Sequence, residues 1–378
     1  MGSQAEAQKP LRVLSVLHSL EPGGVERDLM RFTKSWRDEG IDARIALGRW
    51  EGRLIEEAPD IPFIIPPKGR LAKIDTETLW MIQQLPDIVR KVRPDVLFFP
   101  SNGLMAVAAA TRLRLGRSCP PIVLRPSNSL DERHSSPMQR TLSRLVMRAH
   151  SRIYAAVVAM APPVRDEIIL EMGVAPERVE TIMNGSMTMA DMQRLANARD
   201  AAPRDHAGRH FLGVGRLAPQ KNFALLLRAF ARIAKPDDRL TIIGEGDERP
   251  ALEQLAQELG IAERLALPGH LGAVEKWFGE ADAFVLSSDF EGVPAVVAEA
   301  LAAAIPIVAT DCTVALPMMI ENVGRLVPIK DINALAAAMD AICADRPDVP
   351  AMRARAALFT MEATIGRWIA LFRRVAGE

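Results

Sequence analysis

The stretch A281-DAFVLSSDFEGVPAVVAEALAAAIPIVAT-D311 decides how the rest of the chain reads. Its opening apolar run, Ala283–Ser288, has the composition of a strand buried on both faces. Ser287-Ser288-Asp289-Phe290-Glu291-Gly292 then breaks the pattern with turn formers and an acid. Pro294 pre-sets φ for a first helical turn, where its missing N–H would be an orphan anyway. Ala295–Ala303 consists of helix formers, Pro306 stops them, and Ile307–Thr310 reads as a second buried strand. The unit is strand, acidic loop, helix, strand. Backbone amides from Gly292 to Ala295, with Val293 and Pro294 between them, make an anion site at the helix start. Glu291 and Glu299 place carboxylates in that same site, and these repel a bare phosphate. A ligand with phosphates at one end and hydroxyls at the other removes the conflict, and a nucleotide sugar is such a ligand.

The same alternation runs through the whole chain. Leu11–Leu17 reads as a strand, followed by the loop His18–Gly24 and a helix over Val25–Gly40 with Leu29, Phe32 and Trp36 at helical spacing. Further strands are expected near residues 43–47, 63–65, 96–99, 122–124, 153–159 and 179–182, with helices between them. The pattern restarts at Phe211–Val214 and continues through 240–243, 266–268, 283–288, 307–310 and 325–327. Strands alternating with helices mean parallel sheets covered on both faces. The expected fold class is α/β, with two doubly wound Rossmann-like domains facing each other across a cleft, and with ligands at the carboxyl ends of the strands. The boundaries read as a disordered N-terminus over 1–10, a first domain over 11–190, a linker over 191–209, a second domain over 210–359 and a terminal helical segment over 360–378. Residues 190–209 are rich in Ala, Arg and Asp and lack a sustained apolar stripe, which suggests a connection.

The totals narrow the class. With 378 residues, two domains are the natural expectation. Lys and Arg number 47, as do Asp and Glu, and this neutrality argues against a nucleic-acid binder. Three cysteines, Cys119, Cys312 and Cys343, are far apart and indicate neither a disulfide framework nor a zinc knuckle; no metal ligand set and no cofactor are expected. The polar N-terminus does not read as a signal peptide, and no apolar run is long enough to span a membrane, so a cytoplasmic location is expected. The charge is nevertheless uneven. Residues 100–165 hold 10 arginines against two acids, Asp131 and Glu132, a net of 10 − 2 = +8. Such arginines usually make a solvated helix face; the alternative is a surface that meets anionic lipid headgroups at the inner face of a membrane, or an acceptor bearing phosphate.

Several loops at strand ends carry residues suited to chemistry. Gly215-Arg216-Leu217-Ala218-Pro219-Gln220-Lys221 follows the first strand of the second half. Gly215 allows a sharp turn, Arg216 can fork two donors to a phosphate, and Lys221 adds a compact charge. Gly244 and Gly246 allow close approach to the backbone, though such a pair also makes a plain turn. Glu299 is placed to accept hydrogen bonds from ribose hydroxyls, and Glu291 to orient a sugar ring or stabilise positive charge on it. In the first half Gly23 and Gly24 open a helix, while Asn128 and His134 follow a strand and are candidates for the acceptor side.

These residues resemble family-4 glycosyltransferases, retaining sugar-transfer enzymes of the GT-B fold, over nearly the whole chain. The resemblance is strongest in Gly213–Arg228, Ile242–Leu259 and Ala281–Asp311, where Gly-Arg-Leu-x-x-x-Lys is joined to Glu-x7-Glu. It implies that 11–190 binds the acceptor, that 210–359 binds the nucleotide sugar, and that the last helix crosses back to the first domain. By the same resemblance Arg216 and Lys221 hold the donor diphosphate, Glu299 the ribose and Glu291 the transferred sugar; the basic stretch 100–165 suggests a lipid-linked or saccharide acceptor. Some positions depart from the pattern: no histidine stands in Pro100-Ser101 or Pro126-Ser127-Asn128, Ala304 replaces a glycine, and Thr313-Val314 replaces a glycine pair. A nucleotide-sugar 2-epimerase of the same architecture, or a silent sugar-nucleotide-binding relative, is the alternative.

Overall fold

The computed structural model of the chain describes residues 10–21, 23–65, 77–130, 137–202 and 207–378. Apart from Pro10, the expected disordered N-terminus lies outside the described residues, as does His134. The chain divides into two compact units. The first holds Met1–Met160, Arg165–Ile182 and Ile365–Glu378, and the second Ala161–Val164 and Met183–Thr364.

The first unit is built on seven parallel strands: β1 (Arg12–Leu17), β2 (Asp42–Leu47), β3 (Phe63–Ile64), β4 (Val96–Phe99), β5 (Ile122–Leu124), β6 (Ala156–Ala159) and β7 (Val179–Thr181). Their order across the sheet is β3-β2-β1-β4-β5-β6-β7. The middle strands are apolar along their length because helices cover both faces; β4, VLFF, is buried at every position. Sequence order reverses between β1 and β4, the place where an open sheet of this kind leaves a crevice. An aromatic cluster locks one face. Trp36 and Phe32 from the helix Gly24–Asp38 and Phe98 from β4 meet Trp368 and Phe372 of the last helix, Met361–Ala376. Ring centroids lie 4.9 Å apart for Trp36–Phe372 and 5.2 Å for Phe98–Trp368, both edge-on.

The second unit repeats the plan with six parallel strands: β8 (His210–Val214), β9 (Arg239–Ile243), β10 (Leu265–Gly269), β11 (Ala283–Leu286), β12 (Ile307–Thr310) and β13 (Gly324–Val327). The order β10-β9-β8-β11-β12-β13 places its reversal between β8 and β11. Phe211, Leu226, Phe230, Val285 and Val308 lie at the centre of its core.

The structure departs from the sequence reading in three places. Residues 191–201, read as the start of the linker, belong to the helix Met189–Ala201 within the second unit. Thr188 and Asp191 close a capping box at its start. It packs closely on the helix Glu275–Glu280, where a Cβ on Gly279 would lie 2.6 Å from the Ala198 carbonyl oxygen. Pro294 occupies the cap position of the helix Ala295–Ala303, with ψ 112°, and not its first turn. A short helix, Leu316–Ile320, follows β12, where no element was expected.

Candidate functional site

The reversal between β8 and β11 brings two loops together at the carboxyl ends of their strands. Asn222 ends the first loop with φ +44°, a left-handed conformation that asparagine tolerates, and its side chain caps the helix Phe223–Ile233. Four hydrogen bonds tie this loop to the one after β11. Ser287 Oγ donates to the Lys221 carbonyl at 2.9 Å, and Asp289 N to the Gln220 carbonyl at 2.9 Å. Asn222 Nδ2 donates to Asp289 Oδ1 at 2.8 Å, and Gln220 Nε2 to the Phe290 carbonyl at 2.8 Å.

This lacing sets Lys221 against Glu291. Lys221 Nζ lies 2.5 Å from Glu291 Oε1, and Ser288 Oγ donates to the same oxygen at 2.7 Å. Glu291 is buried and Lys221 is mostly so, and in such surroundings each group needs the other as a partner. Both bonds fall on Oε1, and neither engages Oε2. An ammonium carries three donors, so Lys221 can hold Glu291 and still serve an anion. Gly215 lies directly under this lysine: a Cβ there would approach Lys221 Cε to 3.1 Å. Arg216, next along the loop, is exposed, and among the described residues it makes no ion pair.

The loop Gly292–Pro294 is held from outside its own helix. Thr313 Oγ1 donates to the Gly292 carbonyl at 2.7 Å, and Asn184 Nδ2 to the Val293 carbonyl at 3.3 Å. The helix Ala295–Ala303 that follows has no side-chain cap, and Val297 N donates to the Pro294 carbonyl at 3.1 Å. Glu299 lies on its second turn, half-buried. The second unit thus gathers Gly215, Arg216, Lys221, Glu291, Gly292, Val293, Pro294 and Glu299 around one switch point.

Gly244 has a different reason for being glycine from close approach of a ligand. Its Cβ would fall 1.8 Å from the Gly215 carbonyl oxygen, and one on Gly246 would fall 2.3 Å from the Leu217 carbonyl oxygen. The loop after β9 nests against the loop after β8, with Leu217 N donating to the Glu245 carbonyl at 2.9 Å. These glycines hold the Arg216–Lys221 loop in place.

Sequence reasoning missed Ser288, Gln220 and Thr313. Serine and threonine are ordinary turn residues; Ser288 meets Glu291 within one loop, and only the pairing of β11 with β12 shows that Thr313 meets Gly292. Cys312, a lone thiol in the sequence, also belongs to this corner. It is buried beside Glu291, and burial first, then the nearby carboxylate, pushes its thiol up to about 12. Cys312 should therefore resist iodoacetamide at pH 8 in the folded protein and react once urea unfolds it. Labelling at the folded-state rate of a free thiol would show this corner of the site to be open.

The first-unit candidates lie at loops after strands. Gly23 is the cap of the helix Gly24–Asp38 in an extended conformation, and a Cβ there would meet Glu26 Oε2 at 2.2 Å. A Cβ on Gly24 would meet nothing within 4 Å, so packing does not require glycine there. Asn128 is exposed beside Ser127, whose hydroxyl bonds Asn102 Oδ1 at 3.2 Å. The arginine count over 100–165 overstates the available charge. Arg125 is buried under Phe32, Arg144 pairs with Glu171, and Arg112 and Arg114 donate to backbone carbonyls. Among the described residues no cluster of His, Cys, Asp or Glu is placed to hold a metal ion, and no helix is long and apolar enough to cross a membrane.

Residues 208–345 match the family model described as Glycosyl transferases group 1, and residues 22–186 the one described as Glycosyltransferase Family 4. The chain belongs to the family 4 glycosyltransferases. Its two doubly wound units are those of the GT-B fold. Among curated proteins, this glycosyltransferase is 32% identical over 148 residues to a Campylobacter jejuni enzyme. That enzyme is named N-acetylgalactosamine-N,N'-diacetylbacillosaminyl-diphospho-undecaprenol 4-alpha-N-acetylgalactosaminyltransferase. The match covers 39% of this chain and 38% of the relative. The lipopolysaccharide core biosynthesis glycosyltransferase LpsE of Rhizobium meliloti is 30% identical over 158 residues, 42% of this chain and 45% of LpsE. These alignments thus span less than half the length of either relative. Among solved structures, HepE from Anabaena, crystallised with UDP and glucose, superposes with a TM-score of 0.74 at 21% identity. That superposition covers 96% of this chain and 98% of HepE, and it shows the shared fold.

Proposed function

We propose that this glycosyltransferase moves a hexose from a nucleoside diphosphate sugar to an acceptor hydroxyl with retention of anomeric configuration, in assembly of a bacterial-type glycolipid or polysaccharide. One observation carries the reading: a lysine, a doubly held carboxylate, an uncapped helix start and a second carboxylate lie at the carboxyl ends of β8 and β11. In this reading Lys221 and Arg216 meet the diphosphate, where negative charge grows as the glycosidic bond breaks. Lys221 keeps one donor on Glu291 and offers the others to phosphate oxygens. Glu291 presents Oε2 to a sugar hydroxyl, and Glu299 accepts from the ribose. The two cations and the helix amides supply the charge at the diphosphate, and no cofactor is assigned. HepE was solved with UDP and glucose, which makes UDP-sugars the first donors to try. The Campylobacter jejuni relative is named for an undecaprenol-diphosphate-linked acceptor, and LpsE for lipopolysaccharide core, so a lipid-linked saccharide is the acceptor class proposed.

A thermal-shift panel of nucleotide sugars tests the donor. The matching donor at 100 times its Kd adds about 2.7 kcal/mol of stability, and proton NMR of the product then gives the anomer. Transfer from an α-linked donor should yield an α-linked product; a β-linked product would overturn the retaining assignment.

A further inference from the structure

The helix Pro137–Ser151 presents its apolar residues on the wrong side for a core helix. At about 100° per residue, Met138, Leu142, Leu145 and Ala149 fall within an arc of about 60°. Met147, the buried methionine, lies on the opposite side. Met138 is 80% exposed, Leu142 62% and Leu145 66%, and Val146 widens the stripe at 48%. The orientation is fixed from the inner side, where Arg144 makes two bonds, of 2.5 and 2.6 Å, to the buried Glu171. A stripe of large apolar side chains facing outward along three turns is unusual for a surface that meets only water.

The same helix carries Arg140, Arg144, Arg148 and His150 and no acidic residue, and Arg148 and the nearby Arg152 are exposed. Two copies of this chain meeting through this face would bring like charges together. An anionic surface with an apolar interior satisfies both features at once. We infer that the helix Pro137–Ser151 is a membrane-docking element, lying in the interface of an anionic bilayer with Met138, Leu142, Leu145 and Val146 among the acyl chains. Arg148 and Arg152 then meet the headgroup phosphates at the edge of the inserted stripe. The assignment deepens the proposed function, and its choice of a lipid surface rests on the lipid-linked acceptor.

Flotation of the full chain with phosphatidylcholine vesicles, with and without phosphatidylglycerol, tests it. The wild-type chain should float with the phosphatidylglycerol vesicles and be released by salt. Leu142→Gln/Leu145→Gln should weaken that binding by about tenfold or more. Leu358→Gln, an exposed leucine of the second unit, should leave it unchanged. Equal binding by the double variant and the wild type would overturn the docking assignment. So would a wild-type dimer that the double variant dissolves without change in vesicle binding. The acceptor reading fails separately: vesicle binding that depends on Leu142 and Leu145, with no transfer to any lipid-linked saccharide, would leave the docking and remove the acceptor.

Discussion

Lys221→Ala lowers the rate of sugar transfer by about 10²–10³, the loss expected for about 3–4 kcal/mol of transition-state stabilisation from one preorganised charge. The lysine is placed by the nested loops around Gly215, Gly244 and Gly246, and it holds Glu291. Removing it also leaves Glu291, a buried carboxylate, with Ser288 alone among these two donors. A loss of stability of about 1–3 kcal/mol therefore accompanies the loss of rate. The two effects separate in Lys221→Ala/Glu291→Gln, where the unpaired charge is gone and the amide can still accept from Ser288. That double variant should recover most of the stability and none of the rate. Single-turnover kinetics beside urea unfolding read both quantities. A Lys221→Ala rate within a factor of about two of wild type would remove the lysine from the mechanism.

Trp368→Ala costs the first unit about 3–5 kcal/mol, the range for truncating a large buried aromatic. Its indole is 1% exposed and meets Trp36, Phe98, Phe32 and Phe372, with ring centroids 5.2 to 5.6 Å away. The midpoint of thermal unfolding should fall by roughly 10 °C for a unit of this size. Trp368→Phe keeps a ring among the other four and should lose less than about 1.5 kcal/mol. Calorimetry of the three proteins decides it; a Trp368→Ala midpoint within a degree or two of wild type would mean that the last helix does not hold this core.

Much of this architecture is legible in the sequence because fully buried parallel strands cannot hide. Val96–Phe99 and Ala283–Leu286 are apolar at every position, and each is followed by turn formers. The helix Met189–Ala201 was illegible for a specific reason. Its buried face is Leu195, Ala196 and Arg199, and that arginine is spent on the Gly279 and Ala281 carbonyls. A buried arginine that donates to backbone carbonyls looks like surface when read as sequence. Glycine within the helix Glu275–Glu280 was the one visible sign of a close neighbour. Glu-x7-Glu and the Gly-Arg-Leu-x-x-x-Lys loop were readable as separate elements, but their contact was not. It depends on β8 lying beside β11, a pairing between strands about seventy residues apart. The 2.5 Å pair between Lys221 and Glu291 follows from that adjacency, and the anchoring of Gly292 by Thr313 follows from β12 lying beside β11.

The claim that the loops after β8 and β11 bind the donor diphosphate is tested most directly by titration calorimetry. The ligand is the nucleoside diphosphate that most stabilises the chain, and the proteins are wild type, Lys221→Ala and Glu299→Gln. One site per chain is expected in wild type, with affinity reduced about tenfold or more in each variant, or at least about 1.4 kcal/mol. Unchanged affinity in both variants, with the heat of binding retained, would place the diphosphate elsewhere and contradict the account.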